Sequence, residues 1–294
     1  MPELPDITVY VDSIERLLGG AVLNRLLLPN VFLLRSFDPP TSALAGKRLL
    51  RVERLGKRIV LGFENDLFAV IHLMIAGRFR WFPGGSKVPL TKLAMARFEF
   101  DRGTLVLTEA GTKRRASLYV LHGRDALVAH DPGGVDPLNC TLSEFTAALR
   151  HENHTLKRAL TDPRSFSGIG NSYSDEILHR AKLSPFALSQ KLSASDAGRL
   201  HAATRDVMEE WLARLRAEAN GKFPEKVTAF RPEMAVHGKF KQPCPVCGTL
   251  VQRIVYAENE CNYCPTCQTS GKLLADRALS RLLKASWPKS VDDL

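Results

Sequence analysis

Cys244-Pro245-Val246-Cys247-Gly248 and, with sixteen residues between Cys247 and Cys264, Cys264-Pro265-Thr266-Cys267-Gln268 decide the C-terminal part of the fold. Each C-x2-C turn aims two thiolates at one point, and two such knuckles close a tetrahedral Zn²⁺ site. The spacing predicts a zinc ribbon, with Gly248 leaving the first knuckle and Gln252–Tyr256 as one strand of the intervening hairpin. Four thiolates leave no open coordination position, so the one zinc ion expected is structural. Cys261-x2-Cys264 is also a knuckle spacing. Cys264 and Cys267 are preferred because Pro265 sits inside that knuckle as Pro245 sits inside the first, which makes Cys261 an oxidisable hairpin residue. The competing reading is a cluster of free cysteines without metal. Cys140 stands apart from the other five and reads as a buried apolar residue.

Working outward, six cysteines arranged in this way fit a metal site in a reducing compartment better than a disulfide framework. The chain has 294 residues, 45% of them hydrophobic, which suits two or three domains with real cores. No run of about eighteen apolar residues could span a membrane, and the acidic start at Glu3 and Asp6 is unlike a signal peptide. A net charge of +10 and a pI near 9.5 suggest a polyanionic partner. The expectation is a cytoplasmic, nucleoid-associated monomer that binds nucleic acid and no membrane.

Upstream of the cysteines, hydrophobic spacing changes twice. Ile7, Val11, Ile14 and Leu18 recur at helical intervals, and Gly19-Gly20 ends that helix. Val22–Leu28, Leu49–Phe63, Leu67–Leu73, Ala96–Phe100 and Thr104–Glu109 then read as strands separated by polar or Gly/Pro breaks. Many strands without interleaved helices predict a β-sandwich or a barrel-like β domain led by one helix. Asp131-Pro132-Gly133-Gly134-Val135-Asp136-Pro137 is a turn-rich boundary. Beyond it, Thr141-Leu142-Ser143-Glu144 is a capping box opening a helix to about Arg150. Further helices are predicted over Ser172–Ala181 and from Ser193 to about Ala219. The fold class is α+β and multidomain, with segments 1–130, 131–222 and 223–294.

At the other terminus, Met1-Pro2-Glu3 has chemical potential. Met before a small residue is readily removed, which exposes Pro2 as a secondary amine with a pKa near ~8. Such an amine can attack a sugar carbon and form a cationic iminium, which is an electron sink. Glu3 beside it supplies a carboxyl group for proton transfer. The bland reading is a frayed terminus that merely begins with Pro.

Taken together, Pro2-Glu3-Leu4-Pro5, Gly56-Lys57-Arg58, Leu73-Met74, Gly168-Ile169-Gly170-Asn171 with Asp175-Glu176, and Cys264-Pro-x-Cys-Gln268 occur in one order and spacing. Along nearly its whole length the chain resembles the formamidopyrimidine-DNA glycosylase/endonuclease VIII family. The resemblance implies that residues 131–222 form a helix-two-turns-helix domain. It implies a base-excision repair enzyme, a bifunctional DNA glycosylase/AP lyase, acting on oxidised bases in damaged double-stranded DNA. The substrates would be formamidopyrimidine and 8-oxoguanine, or oxidised pyrimidines. Pro2 would be the nucleophile at C1′, Glu3 the acid/base, and Lys57 the holder of the phosphate beside the lesion. Asn171 would grip the phosphate backbone, Met74 would fill the gap left by the extruded base, and Arg114 would face the orphaned one. Lys57 also reads as a solvated strand-end lysine, Met74 as core, and Asn171 as a helix N-cap.

Three departures stand out. Ala116 occupies the usual place of a wedge phenylalanine. Asn259 stands where the ribbon hairpin usually offers an arginine to the phosphates, which replaces a bidentate cation by a neutral donor. The stretch Asn220–Val236 is shorter than in members that cap 8-oxoguanine with a loop. Beyond these, Leu273–Trp287 continues past the point where many members stop and puts Arg277, Arg281 and Lys284 on one helical face, read either as an added phosphate contact or as a solvated stripe. The rival reading is a non-catalytic nucleic-acid-binding protein, which has no need for Pro2 and Glu3 at its terminus.

Overall fold

The computed structural model describes residues 1–294 except 90, 112, 226, 229, 257–258, 276–281, 283–288 and 292–294, and at Tyr256 and Asn259 the backbone alone. Arg277, Arg281 and Lys284 therefore lie outside the described residues. The chain divides into two compact units. One comprises Met1–Pro132 with Trp211–Thr228, and the other Gly133–Glu210 with Ala229–Leu294.

In the first unit, helix α1 (Leu4–Leu18) buries a seam of Ile7, Tyr10, Ile14 and Leu18, all 0% exposed. Tyr10 thus takes the place expected for Val11, which is only half-buried. Each such side chain contributes roughly 1.5–3 kcal/mol by leaving water. Eight antiparallel strands follow: β1 (Val22–Leu27), β2 (Lys47–Leu55), β3 (Arg58–Phe63), β4 (Leu67–His72), β5 (Gly77–Pro83), β6 (Ala94–Phe100), β7 (Gly103–Glu109) and β8 (Ser117–His122). Their order is β5-β7-β6-β1-β2-β3-β4-β8. Only Val22↔Arg48 and Leu23↔Lys47 pair β1 with β2, so two four-stranded halves meet at a narrow joint. The halves face each other: Phe63 of β3 and Phe100 of β6 stack with centroids 6.4 Å apart. Three flat strand spacings would separate their strands by about 14 Å. The resulting core holds Ile59, Leu61, Ile71, Phe79, Phe98 and Leu107, together with the α1 seam.

The single stretch expected over Leu49–Phe63 is two strands, turned at Gly56-Lys57. Gly56 has φ +61°, which a two-residue hairpin loop of this kind requires at its first position. Side chains on β3 and β4 alternate between two cores. Val60, Phe68 and Val70 point away from the main one and pack with Leu121 and Leu127, the latter on helix α2 (Arg124–Val128).

In the second unit, α3 (Leu142–Arg150) opens with the Thr141–Glu144 capping box. It is followed by α4 (Leu156–Thr161) and α5 (Asn171–Arg180). Helix α6 (Ala194–Ala219) runs from this unit into the residues of the first. Strands β9 (Gln252–Tyr256) and β10 (Asn259–Tyr263) form the expected hairpin, and α7 (Pro265–Thr269) follows the second knuckle. Cys140 is half-buried rather than buried. Among the described residues no helix is long and apolar enough to cross a membrane.

Candidate active site and metal centre

Chain entry into α1 builds the reactive end. Glu3 is the residue before the helix and donates its backbone N–H to Asp6 Oδ2 at 3.0 Å, which closes one of the open amides of the first turn. Pro5 adds its fixed φ to that turn. Pro2 and Leu4 are buried, and Glu3 is 2% exposed, so this terminus is folded rather than frayed.

The amine of the full-length chain, on Met1, is held below its ordinary value of 8.0. Burial is the main cause. The Arg78 and Lys57 cations act in the same direction, against Glu3 and Asp6. Lys57, on the β2–β3 hairpin turn, is likewise pushed down by burial and partly restored by Glu3. The structure thus brings the chain terminus, Glu3 and Lys57 into one electrostatic neighbourhood. Arg78 is a fourth member that sequence reading misses, although alternation in Gly77-Arg78-Phe79-Arg80-Trp81 could have shown it on a strand.

The turn between β4 and β5 carries Met74. Its φ is +52°, the left-handed region, and its N–H donates to His72 Nδ1 at 3.1 Å. The turn closes when the Gly77 N–H donates to Leu73 O at 2.9 Å. A Cβ at Gly77 would lie 2.2 Å from that oxygen, so only glycine fits. His72 is held neutral, its pKa lowered to about 4 by burial and by Arg58 and Lys57. Nδ1 therefore accepts, and Nε2 carries the proton. Met74 is half-buried, whereas its neighbour Ile75 is 58% exposed. The apolar side chain this turn presents to solvent is Ile75, a residue that sequence reading misses by favouring the methionine.

Arg114 is exposed, and its guanidinium donates to Lys92 O at 2.9 Å. Its loop is gripped from beneath by the buried Glu109 carboxylate, which accepts from the Arg115 N–H at 2.9 Å and the Ala116 N–H at 3.1 Å. Ala116 itself is 1% exposed and part of the core.

In the second unit, Asn171 is the first residue of α5, half-exposed, and Gly170 takes the N-cap position instead. The following turn is fastened from inside. Lys157 Nζ donates to Asn171 O at 2.6 Å, Ser174 Oγ at 2.8 Å and Asp175 Oδ1 at 2.5 Å. Asp175 Oδ2 accepts from His237 Nδ1 at 2.8 Å and from the Asn262 N–H at 3.2 Å. Burial alone would raise this carboxyl, yet the Lys157 ammonium and His237 hold it below the ordinary carboxylate range. Glu176 accepts from three consecutive amides, Ala235, Val236 and His237, at 2.8–2.9 Å. Burial outweighs those bonds and raises it.

The sulfurs of Cys244, Cys247, Cys264 and Cys267 all lie within 4.8 Å of one another. A tetrahedral Zn–S distance of about 2.3 Å sets sulfurs about 3.8 Å apart, so the four fit one structural zinc ion. His179 Nε2 lies 3.3 Å from Cys244 Sγ and orients that ligand from behind. Cys261 stands outside the group. It is 0% exposed on β10 opposite Ile254, and burial raises its thiol, which makes it slow to oxidise.

Comparison with known proteins finds matches to three stretches of the chain. Residues 1–117 match the formamidopyrimidine-DNA glycosylase N-terminal domain, 134–219 the formamidopyrimidine-DNA glycosylase H2TH domain, and 241–269 the zinc finger found in FPG and IleRS. A formamidopyrimidine-DNA glycosylase of Thermus thermophilus is 30% identical over 285 residues, 92% of this chain and 100% of the relative. An uncharacterized formamidopyrimidine-DNA glycosylase-like protein of Mycobacterium tuberculosis is 41% identical over 152 residues, 51% of this chain and 94% of that one. The crystal structure of MutM (Fpg) from T. thermophilus superposes with a TM-score of 0.74 at 29% identity, covering 91% of this chain and 98% of that one. Lactococcus lactis Fpg, solved with abasic-site DNA, shares the fold with a TM-score of 0.79 at 22% identity, covering 91% and 99%. With a relative matched along its full length and all three regions accounted for, the chain belongs to the formamidopyrimidine-DNA glycosylase family.

Proposed function

We propose that this protein is a base-excision repair DNA glycosylase with an AP-lyase step, acting on oxidised bases in double-stranded DNA. The observation that carries the reading is the buried start of the chain at Pro2 and Glu3, near Lys57 and Arg78, where burial and two cations favour the neutral form of the amine one residue earlier, on Met1. A neutral amine is the form that attacks carbon.

Once Met1 is removed, the Pro2 nitrogen attacks C1′, the glycosidic C–N bond breaks, and the base leaves with a proton. Glu3 protonates the ring oxygen as the sugar opens. The iminium then withdraws electrons, C2′ loses a proton, and the C3′–O bond breaks, which cuts the strand on the 3′ side. Lys57 would hold the phosphate beside the lesion. Asn171, with the open amides of α5, offers a second phosphate site. Extruding a base costs a few kcal/mol, and an inserted apolar wedge offsets part of that. We assign that wedge to Ile75, with Met74 shaping the turn beneath it and Arg114 facing the orphaned base. Asn259, a neutral residue, would offset phosphate charge less than an arginine, which favours β-elimination over a second elimination. The three segments 1–130, 131–222 and 223–294 act as catalytic, helix-two-turns-helix and zinc-ribbon modules, the last holding its ion through Cys244, Cys247, Cys264 and Cys267.

Borohydride trapping on abasic DNA is the test. Protein lacking Met1 should form a covalent adduct, and Pro2→Gly or retention of Met1 should reduce it to background. Undiminished trapping by protein shown to keep Met1 would overturn the mechanism. Tight DNA binding with neither trapping nor cleavage would favour a non-catalytic binder.

A further inference from the structure

Arg78 ties together parts of the first unit that are distant in the chain. Its Nε donates to the carbonyl of Val227, and its NH1 to the carbonyls of Ile75 at 3.0 Å and Gly77 at 2.7 Å. Among the described residues NH2 makes no hydrogen bond. The residue itself is set by β5, where its carbonyl accepts from Thr108 Oγ1 at 3.2 Å. Val227 is separated from Arg78 by 149 positions and follows the end of α6. Its side chain is 6% exposed in the same core as Ile7 and Tyr10. Phe223, four residues earlier, packs its ring 5.7 Å from that of Tyr10. The segment after α6 is therefore docked at both ends, by an apolar contact at Phe223 and by a guanidinium at Val227.

Such docking has a cost that the Arg78 fork offsets. Fixing a loop residue costs backbone entropy, and a planar guanidinium can satisfy several carbonyls at once where an ammonium would reach fewer. The same group places a permanent positive charge near the chain terminus. The other charged groups there are Glu3 and Asp6 from α1 and Lys57 from the β2–β3 turn.

We infer that Arg78 is a positioning residue of the active site: it fastens Val227, beyond the end of α6, to the Ile75 turn and fixes one positive charge beside the reactive terminus. This rests on the proposed role of the terminal amine for its second half only. The clamp stands on the hydrogen bonds alone. One side chain thus joins the Ile75 turn, the segment following α6 and one of the positive charges near the chain terminus.

The experiment compares Met1-free wild type with Arg78→Lys and Arg78→Met, using hydrogen exchange across residues 222–228 and the pH profile of borohydride trapping on abasic DNA. Arg78→Met should exchange about tenfold faster in that segment and shift the trapping midpoint upward by about half a unit, roughly a threefold loss of rate below it. Arg78→Lys should lose the protection but keep the midpoint, because it retains the charge without the fork. Wild-type exchange in both variants would overturn the clamp, and an unmoved midpoint in Arg78→Met would overturn the charge role. Should Arg78→Met fail to fold, Arg78→Lys decides: fast exchange with a wild-type midpoint supports the inference, and any other pattern sinks it. Absence of trapping by the wild type would refute the proposed mechanism instead, and the exchange comparison would still judge the clamp.

Discussion

The two compact units each contain a buried polar cluster, and the clusters are built on opposite plans. Around Asp175, charge is matched: Lys157, His237 and the Asn262 amide all converge on one carboxylate. Around the chain terminus, burial prevails: it holds the Met1 amine and Lys57 below their ordinary values, helped at the amine by the Arg78 and Lys57 cations and opposed at both by Glu3. The first arrangement holds an ionised group more firmly in its ordinary state. The second drives an amine and a lysine out of theirs. Perturbation toward the reactive form marks chemistry, whereas reinforcement of the resting form marks architecture.

Substitutions can break that contrast. The largest effect expected is at the terminus. Glu3→Gln should lose base excision by about 10²–10⁴-fold while abasic-site cleavage falls far less, because a preformed abasic sugar needs no base departure. Measured on matched oligonucleotides, equal losses on both substrates would contradict the division of labour between Pro2 and Glu3.

Next comes Asp175→Ala, which leaves the Lys157 ammonium buried without its counter-ion. The expected cost is about 3–5 kcal/mol, visible as a lowered midpoint in chemical denaturation. Asp175→Ala with Lys157→Met should recover part of it. A single variant as stable as the parent would show that the network is ornamental.

A smaller effect separates Ile75 from Met74. Ile75→Ala should reduce excision from duplex but not from single-stranded substrate, since only a duplex leaves a gap to fill. Met74→Gly should be tolerated, because the backbone there is already left-handed. Reversal of that pattern would return the wedge to the methionine.

The smallest is a pH effect at His72. Its folded pKa of about 4 lies below the ordinary 6.5, so the unfolded chain binds the proton more readily. The stability this group contributes is complete above about pH 6.5 and is lost as pH falls toward 4. His72→Gln should flatten the melting-temperature profile in that window. An identical slope in both proteins would remove His72 from the account.

Much of this is legible in the residues, and what is not has a common cause. The α1 helix, the Thr141 capping box, the β9–β10 hairpin and the cysteine knuckles announce themselves within a few positions, because each is closed by local bonds or regular spacing. The helix seam shifts from Val11 to Tyr10 because the tyrosine hydroxyl finds the Phe79 N–H at 3.3 Å, a partner 69 positions away. Strand β5 escapes a local reading because its Arg78 and Arg80 hide an alternating apolar face. Asp175 reaches partners 18, 62 and 87 positions distant, and no local pattern records them. Asn171 reads as a cap because asparagine often is one, whereas Gly170 takes that position here.

The grip of Glu176 on Ala235, Val236 and His237 carries one more consequence. Three successive amides pointing at a single spot form the kind of nest that proteins offer to phosphate. Here the chain fills that nest with its own carboxylate, so the spot is closed to a DNA backbone despite its geometry. An anion soaked into crystals should ignore it. Engineering that vacates it through Glu176→Gly would create an internal decoy, a buried receptor competing with the outward phosphate sites for the same ligand.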